Sequence, residues 1–252
     1  MSTVTGLLTA NAARWKVAKL TRASEFGPVA KRLVAAKSRY QAVAAKTGVP
    51  WFVIAVIHQR ESSQNFSRSL AQGDPWNQVS THVPKGRGPF KSWEEAAIDA
   101  LVNCAPYASR WKNWSPGGSM TLLEQYNGLG YAAKGLPSPY VWSGTDQYVK
   151  GKYVADGVFS ATAVDKQLGC AGLIMAMAAL DPSISFDGNV PVLTDAPIPQ
   201  TKPPVSKTDK AVIVTTATAA GTATAQYGVW IGVGVAALFI VCAFLYFKFI
   251  RK

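Results

Sequence analysis

A long uncharged stretch near the C terminus leaves only part of this chain for a globular domain. Residues 228–247, GVWIGVGVAALFIVCAFLYF, carry no charged side chain, and Tyr227, Trp230 and Tyr246 lie near the ends of the stretch. A helix rises about 1.5 Å per residue, so about 20 apolar residues span the hydrocarbon core of a bilayer. Aromatic rings favour the membrane interfaces. We therefore predict a transmembrane helix at 227–248, because a buried core helix is rarely so long and apolar.

The residues beyond this helix predict its orientation. A basic tail, residues 249–252, follows Lys248 and contains Arg251 and Lys252. Because cytoplasmic flanks of membrane helices are rich in Lys and Arg, we expect a single-pass membrane protein with a cytoplasmic C terminus. The rest of the chain would lie on the periplasmic or cell-wall side. No apolar signal-peptide core is visible in the first thirty residues, so the export route stays open.

A linker precedes the predicted membrane helix. Five prolines interrupt residues 187–210, and residues 211–226 are rich in Ala and Thr. Proline fixes φ and has no N–H group, so the first part of the linker favours an extended chain. We therefore expect the globular domain to end near Phe186, with residues 187–226 as a tether.

Positive charge is concentrated at the N terminus. The first 46 residues contribute 9 − 1 = +8 of the net charge of +12. This cluster favours an anionic partner, such as a cell-wall polymer or an acidic lipid, or it is a solvated helix face. Nucleic acid is not expected as a partner, because no recognition motif accompanies the charge. We assign residues 1–29 to a basic N-terminal segment and residues 30–186 to the domain.

The pattern of residues 30–186 predicts an α+β fold that is mostly α, with one core. Apolar periodicity, breakers and caps predict helices at 30–46, 51–60, 93–103, 121–127 and 160–180. Two capping boxes mark helix starts, Ser92 with Glu95 and Thr121 with Glu124. The polar stretch 62–91 is rich in Gly and Pro, which predicts loops or a small β-hairpin.

Glu61 ends the most apolar helix of the domain, where WFVIAVI gives way to HQRESSQNFS. A carboxyl group beside an apolar wall loses hydration, which disfavours its charged form and raises its pKa. A carboxylic acid still protonated near neutral pH can donate a proton to a glycosidic oxygen. The alternative is a solvated glutamate at a frayed helix end.

Two segments resemble the lysozyme-like superfamily. Residues 53–66, VIAVIHQRESSQNF, are similar to the catalytic segment of lytic transglycosylases and goose-type lysozymes, in which an apolar helix ends in Glu-Ser and an aromatic residue follows. Residues 125–128, QYNG, resemble the Tyr-Asn motif that lines the sugar cleft of these families. The resemblance covers about residues 30–182, and similar proteins occur among phage lysis enzymes.

The resemblance implies a lysozyme-like domain that binds peptidoglycan glycan strands and lyses the cell wall. It implies that Glu61 is the general acid of a muramidase, a glycoside hydrolase that cleaves the β-1,4 bond between N-acetylmuramic acid and N-acetylglucosamine. Tyr126 and Asn127 are then substrate contacts. Ser63, or its neighbour Ser62, would orient Glu61 or a sugar.

The chain departs from the transglycosylase pattern after Glu61. A Gly-Leu-Met-Gln type segment is missing, and the polar turn AQGDPW carries Asp74 instead. An inverting glycosidase needs a second carboxylate about 6.5–9.5 Å from the acid to activate water. Asp74 is our candidate for this role, and the alternative is a turn aspartate before proline. Without a second carboxylate, the muramic 6-hydroxyl would attack and give an anhydro product, so transglycosylation stays open beside the favoured hydrolysis.

Other reactive residues predict less. His58 precedes Glu61 by three positions, which does not match the H-E-x-x-H zinc motif, so we expect no metal and no cofactor. Cys104 and Cys170 either pair, if the domain is exported, or are buried free thiols. Two rival functions remain: a non-catalytic wall-binding or virion structural protein, and a membrane-lesion protein whose span is the active part. The oligomeric state is open.

Overall fold

The computed structural model describes residues 4–186, with the exception of residues 72, 83 and 156. The predicted linker, transmembrane helix and basic tail lie outside the described residues. Within the described part of the chain, no single helix is long and apolar enough to cross a bilayer. Two helices, Lys37–Thr47 and Trp51–Ser62, pass that test only when taken together, and they are bent by 112°.

Helices dominate the described chain, and one two-stranded sheet accompanies them. The helices are α1 (Val4–Val17), α2 (Ala23–Ala35), α3 (Lys37–Thr47), α4 (Trp51–Ser62), α5 (Trp93–Asn103), α6 (Pro116–Asn127), α7 (Gly130–Ala133), α8 (Pro139–Trp142) and α9 (Cys170–Ala178), with a 3₁₀ turn at Ala108–Arg110. The strands are β1 (Lys152–Ala155) and β2 (Val158–Ser160). The predicted α+β fold class, mostly α, is confirmed.

α4 runs through the centre of the core. Residues 51–58 are all buried, so the buried helix predicted from WFVIAVI is confirmed. A helix that is apolar on all sides must be enclosed by other elements, and α3 and α9 pack against it. The helix becomes partly exposed from Gln59 onward, so its last turn carries Glu61 to the edge of the core.

The sheet is an antiparallel hairpin in which Tyr153 lies opposite Phe159. The two rings lie edge-on to Tyr131 of α7, with centroids at 5.2 and 6.3 Å. Each aromatic side chain thereby covers apolar surface on one face of the hairpin. This packing gives the strands a half-buried side, and contact with a helix is what a short two-stranded sheet needs for stability.

Of the two alternatives predicted for residues 62–91, loops or a small β-hairpin, the described residues form loops. Among the described residues of this stretch, β-type backbone pairing is limited to one isolated antiparallel bridge between Arg68 and Pro75. Pro75 has no N–H group to donate, and the stretch lacks the alternating apolar residues that give a strand one buried face. Turns and side-chain hydrogen bonds hold this segment instead.

The described part of the basic N-terminal segment is packed into the domain. α1 lies along α6, and Asn11 is fully buried between them. The Asn11 amide donates to Thr121 Oγ1 at 3.2 Å and to Glu124 Oε2 at 3.0 Å. Its oxygen accepts from Trp142 Nε1 at 3.3 Å. α1 therefore belongs to the same core as residues 30–186, although charge alone set it apart.

Close helix packing also joins α1 to the core. A Cβ atom at Gly117 of α6 would lie 2.7 Å from the Leu8 carbonyl oxygen, so the two helices approach at a position that only glycine allows. Trp15 is 2% exposed and meets Phe186 edge-on, with ring centroids 5.1 Å apart. The first helix and the last described residue of the chain thus share one aromatic contact.

The single helix predicted at 30–46 is divided into α2 and α3 at Ala36, whose φ of −92° and ψ of 10° leave the helical region. No Gly or Pro marks this break in the sequence. The predicted helix end near residue 46 is confirmed: α3 ends at Thr47, and Gly48 follows in a left-handed conformation with φ of 72°.

The two capping boxes have different outcomes. Ser92 Oγ accepts from the Glu95 N–H at 3.2 Å, as predicted, although the Glu95 carboxylate accepts from the Lys91 N–H rather than from Ser92. The second box, Thr121 with Glu124, is wrong because both residues lie buried inside α6.

α6 begins earlier than the second capping box implied. Ser115 Oγ accepts from the Gly118 N–H at 3.2 Å, and Pro116 occupies the first helical position. Gly128 ends the helix, as predicted.

The helix predicted at 160–180 is reduced to α9. Residues 161–169 form an irregular segment that continues from β2. A Cβ atom at Gly169 would lie 2.5 Å from the Val141 carbonyl oxygen, and the Gly169 N–H donates to Ser143 O at 2.8 Å. The segment therefore bonds to the end of α8 instead of extending α9. Cys104 and Cys170 are buried free thiols, so the disulfide alternative is excluded for this structure.

Replacement of Trp15 tests whether α1 is part of the core. Trp15→Ala should lower the free energy of unfolding by about 3–5 kcal/mol, because it removes a large buried side chain. Lys16→Ala, at an exposed neighbouring position, should change it by less than about 0.5 kcal/mol. Urea unfolding followed by circular dichroism measures both. Equally small effects would contradict the packing of α1 into the core.

Candidate active site

The end of α4 presents Glu61 at the surface of the domain. Ser62 Oγ donates to the His58 carbonyl oxygen at 3.2 Å, which closes the last turn. Ser63 and Gln64 then adopt left-handed conformations with φ of 53° and 63°, so the chain turns sharply away from the helix. The structure thus places Ser63, a predicted substrate contact, as the exposed C-cap residue of α4.

Glu61 is bonded to a tyrosine of α8. Tyr140 Oη donates to Glu61 Oε1 at 2.8 Å. Burial raises the pKa of Glu61 to about 7, while the Tyr140 hydrogen bond and the Arg60 charge act in the opposite direction. The residue is partly exposed at the end of α4, while its carboxyl group is desolvated. Glu61 is therefore a carboxylic acid that retains its proton close to neutral pH.

Tyr126 lies beside Glu61. Burial raises the pKa of Tyr126 well above its usual value, and the nearby charge of Glu61 raises it further. Tyr126 Oη donates to the Leu70 carbonyl oxygen at 3.2 Å, so the same ring joins α6 to the loop after α4. Asn127 is the last residue of α6 and is half-buried. Tyr126 is therefore close enough to Glu61 for their charges to interact, and the sequence predicted both residues in one site.

Three residues of this arrangement were not predicted from the sequence. They are Tyr140, which donates to Glu61, Arg60, which precedes Glu61 in the chain, and Asp165, which pairs with Arg60. Arg60 lies over the Tyr140 ring, with Cζ 4.7 Å from the centroid, and pairs with Asp165 at 3.1 Å. Because these contacts join residues far apart in the chain, no local sequence signal identifies them. The run Arg60-Glu61 gives the one hint, a cation placed beside the candidate acid.

His58 supports the helix from inside the core. Its side chain is fully buried, and Nδ1 lies 3.0 Å from Tyr40 Oη. Burial lowers the pKa of His58 to about 4, so the ring is neutral at physiological pH. Among the described residues, no cluster of His, Cys, Asp or Glu side chains is arranged to hold a metal ion. The arrangement of His58 therefore supports a structural role.

Asp74, the candidate second carboxylate, is held within its own loop. Its Oδ2 accepts from the Thr81 and His82 N–H groups at 2.9 and 3.0 Å, and Oδ1 lies 2.6 Å from His82 Nδ1. Burial opposes ionisation, but these hydrogen bonds together keep the pKa of Asp74 below its usual value. Asp74 is therefore ionised at neutral pH. These three hydrogen bonds also hold the loop together, which agrees with the alternative interpretation of Asp74 as a turn residue.

A small cavity opens in the loop that follows α4. Its volume is about 220 Å³, below the roughly 300–1,000 Å³ typical of sites for drug-sized ligands. Trp76 forms part of its wall, and the indole N–H donates to Phe66 O at 2.7 Å. The remaining lining residues are Asn65, Ser67, Arg68, Pro75 and Asn77. An aromatic ring among amide and guanidinium donors is suited to a polar ring such as a sugar.

Comparison of the chain with protein-family models, with curated proteins and with solved structures finds no match. The geometry around Glu61 is therefore the basis on which a function is assigned.

Proposed function

We propose that this protein is a peptidoglycan-degrading muramidase that cleaves the β-1,4 bond between N-acetylmuramic acid and N-acetylglucosamine. Glu61 is the general acid: its proton passes to the glycosidic oxygen as the bond to the anomeric carbon breaks. The observation that carries the proposal is the Glu61 carboxyl itself, held by Tyr140 with a pKa of about 7 at a partly exposed helix end. This is the state that an acid catalyst needs near neutral pH.

Two further arrangements support the proposal. Tyr126 lies beside the acid, and the small cavity with Trp76 belongs to the same loop that Tyr126 contacts through Leu70. A lysozyme-like domain with a membrane tether is the architecture that we propose. The tether would comprise residues 187–226, and the membrane helix residues 227–248, with the domain on the cell-wall side.

Hydrolysis and transglycosylation differ in the oxygen that attacks the anomeric carbon after the glycosidic bond breaks. In hydrolysis, the oxygen of a water molecule bonds to the anomeric carbon, its proton passes to the Asp74 carboxylate, and a reducing end is left. In transglycosylation, the muramic 6-hydroxyl oxygen bonds to the anomeric carbon and forms an anhydro ring, and its proton passes to the Glu61 carboxylate. Among the described residues, the groups that interact with Glu61 are Tyr140, Arg60, Tyr126 and Cys170, and none of these is a second carboxylate. Transglycosylation is therefore the second candidate.

Loss of the acid tests the enzyme proposal. Glu61→Gln should lower the rate of clearing of purified peptidoglycan by at least about 100-fold, since general acid catalysis contributes roughly 10²–10⁴-fold. Glu94→Gln is the matched control. It removes a carboxylate of α5 that pairs with Arg39 of α3, and it should clear the wall at the wild-type rate. If wild type and Glu61→Gln both bind the wall and neither clears it, the protein is a wall-binding protein and not an enzyme.

The pH dependence of activity should follow the Glu61 proton. Because the pKa of Glu61 is raised to about 7, the clearing rate should fall as pH rises above about 7.

The stability of the domain should also depend on this proton. Glu61 loses its proton near pH 4.5 in the unfolded chain and near pH 7 in the folded protein, so the folded state binds more protons between pH 4.5 and pH 7. The free energy of unfolding therefore decreases as pH rises from 4.5 to 7. Glu61→Gln should therefore unfold at a higher temperature than wild type at pH 8 and at the same temperature at pH 4. Equal unfolding temperatures at pH 8 would mean that the carboxyl is not desolvated.

Substitution of Asp74 identifies the second step. Asp74→Asn should lower the clearing rate by about 100-fold if this carboxylate activates water as a general base. His82→Ala keeps the carboxylate and removes one of its loop contacts, so it should stay active.

Mass spectrometry of the released muropeptides should show reducing ends for wild type. Anhydro ends, together with an unaffected Asp74→Asn variant, would establish the transglycosylase instead.

A further inference from the structure

A buried ion pair lies behind the Tyr140–Glu61 hydrogen bond. Arg60 Nη2 is 3.1 Å from Asp165 Oδ2, and the two side chains are 6% and 8% exposed. Arg60 Nη1 also donates to the Leu168 carbonyl oxygen at 3.3 Å. A buried guanidinium needs such partners because its desolvation is costly. The irregular segment 161–169 supplies both partners of Arg60.

The guanidinium connects this pair to the acid through a ring. Arg60 Cζ lies 4.7 Å from the centre of the Tyr140 ring, and the phenol of that ring donates to Glu61 at 2.8 Å. A cation over an aromatic face is attracted to the ring, and the rigid planar guanidinium limits the orientations that the ring can adopt. Asp165, Arg60, Tyr140 and Glu61 thus form one chain of contacts.

Charged and titratable groups from every neighbouring element lie close to Asp165 or Glu61, the two ends of this series of contacts. Glu61 interacts with Arg60 on α4, Tyr140 on α8, Tyr126 on α6 and Cys170 on α9. Asp165 interacts with Lys152 of β1, whose Nζ lies 3.6 Å away, and with Tyr148, Tyr131 and Arg22. Among the groups that act on Glu61, Arg60 is the cation that opposes retention of the proton.

We propose that Asp165 is a positioning residue for the acid: it neutralises and orients Arg60, which holds the Tyr140 phenol against Glu61. The proposal rests on the proposed function, in which Glu61 is the general acid. Two effects of opposite sign follow. Asp165 offsets the positive charge beside Glu61 and so favours the protonated carboxyl, whereas the Tyr140 phenol donates to the ionised carboxylate and favours loss of the proton.

The opposite signs make the proposal testable without substrate. The Glu61 side-chain carboxyl is titrated by ¹³C NMR on the full chain, and its resonance is assigned by its absence in Glu61→Gln. Asp165→Asn should lower the pKa of Glu61 by about 1 unit, because the charge of Arg60 is no longer offset. Tyr140→Phe should raise it, and Asp165→Glu, which keeps the charge, should resemble wild type.

Asp181→Asn is the matched control, because Asp181 forms an ion pair with Lys37 at 2.6 Å and does not contact Glu61, Arg60 or Tyr140 in any bond described here. It should leave the Glu61 titration unchanged. If Asp165→Asn does not fold, Arg60→Gln serves instead and should raise the pKa of Glu61, since it removes the opposing cation. The Tyr140→Phe shift should be smaller in the Asp165→Asn background than in the wild-type background, because the phenol is then no longer held against Glu61. A Tyr140→Phe shift of the same size in both backgrounds overturns the proposal, as does an unchanged pKa in Arg60→Gln.

The NMR titration and the wall-clearing assay together distinguish failure of the muramidase proposal from failure of the proposed role of Asp165. If wild type does not clear the wall but the Tyr140→Phe shift is smaller in the Asp165→Asn background, the muramidase proposal fails and the positioning role stands. If wild type clears the wall and the Tyr140→Phe shift is the same with and without Asp165, the positioning role alone fails. When both hold, the pH at which wall clearing declines should move downward in Asp165→Asn.

Discussion

The desolvation of one carboxyl group at the end of α4 determines the chemistry available to this domain. α4 is apolar on almost every side, so it is stable only when other helices enclose it. That enclosure removes water from the Glu61 carboxyl group as well as from the core. Glu61 therefore retains its proton to about pH 7, although it belongs to the partly exposed last turn of α4. Core packing and acid strength are consequences of the same burial.

The surrounding elements are arranged around this carboxyl. α8 supplies the phenol, α6 supplies a second tyrosine and α9 lies behind them. The segment between β2 and α9 provides the carboxylate that neutralises Arg60. α1 in turn stabilises α6 through Asn11, which places a polar side chain in the core where each of its hydrogen bonds has a partner. The N-terminal helix thus contributes to the site indirectly, through the position of α6.

Parts of this fold were predictable because their signals are local. The apolar run of α4, the Ser92 cap and the glycine that ends α3 each depend on a few neighbouring residues, and each is confirmed. The errors arose where distant partners decide the structure. Thr121 and Glu124 have the spacing of a capping box, but Asn11 binds both inside the protein. Residues 161–169 have the composition of a helix, but Arg60 and the end of α8 hold them in another conformation.

The amino-acid sequence alone determined that an acidic residue ends a buried apolar helix, because hydrophobic periodicity and the polar turn that follows are properties of consecutive residues. It also determined that the chain is mostly helical. Only the tertiary structure decided which groups meet that acid. Tyr140 and Asp165 lie 79 and 104 positions beyond Glu61 in the chain, and their contacts depend on how the helices pack rather than on local preference. Burial, charge compensation and proton affinity at Glu61 arise from that packing, since each is a property of the surroundings and not of the residue itself.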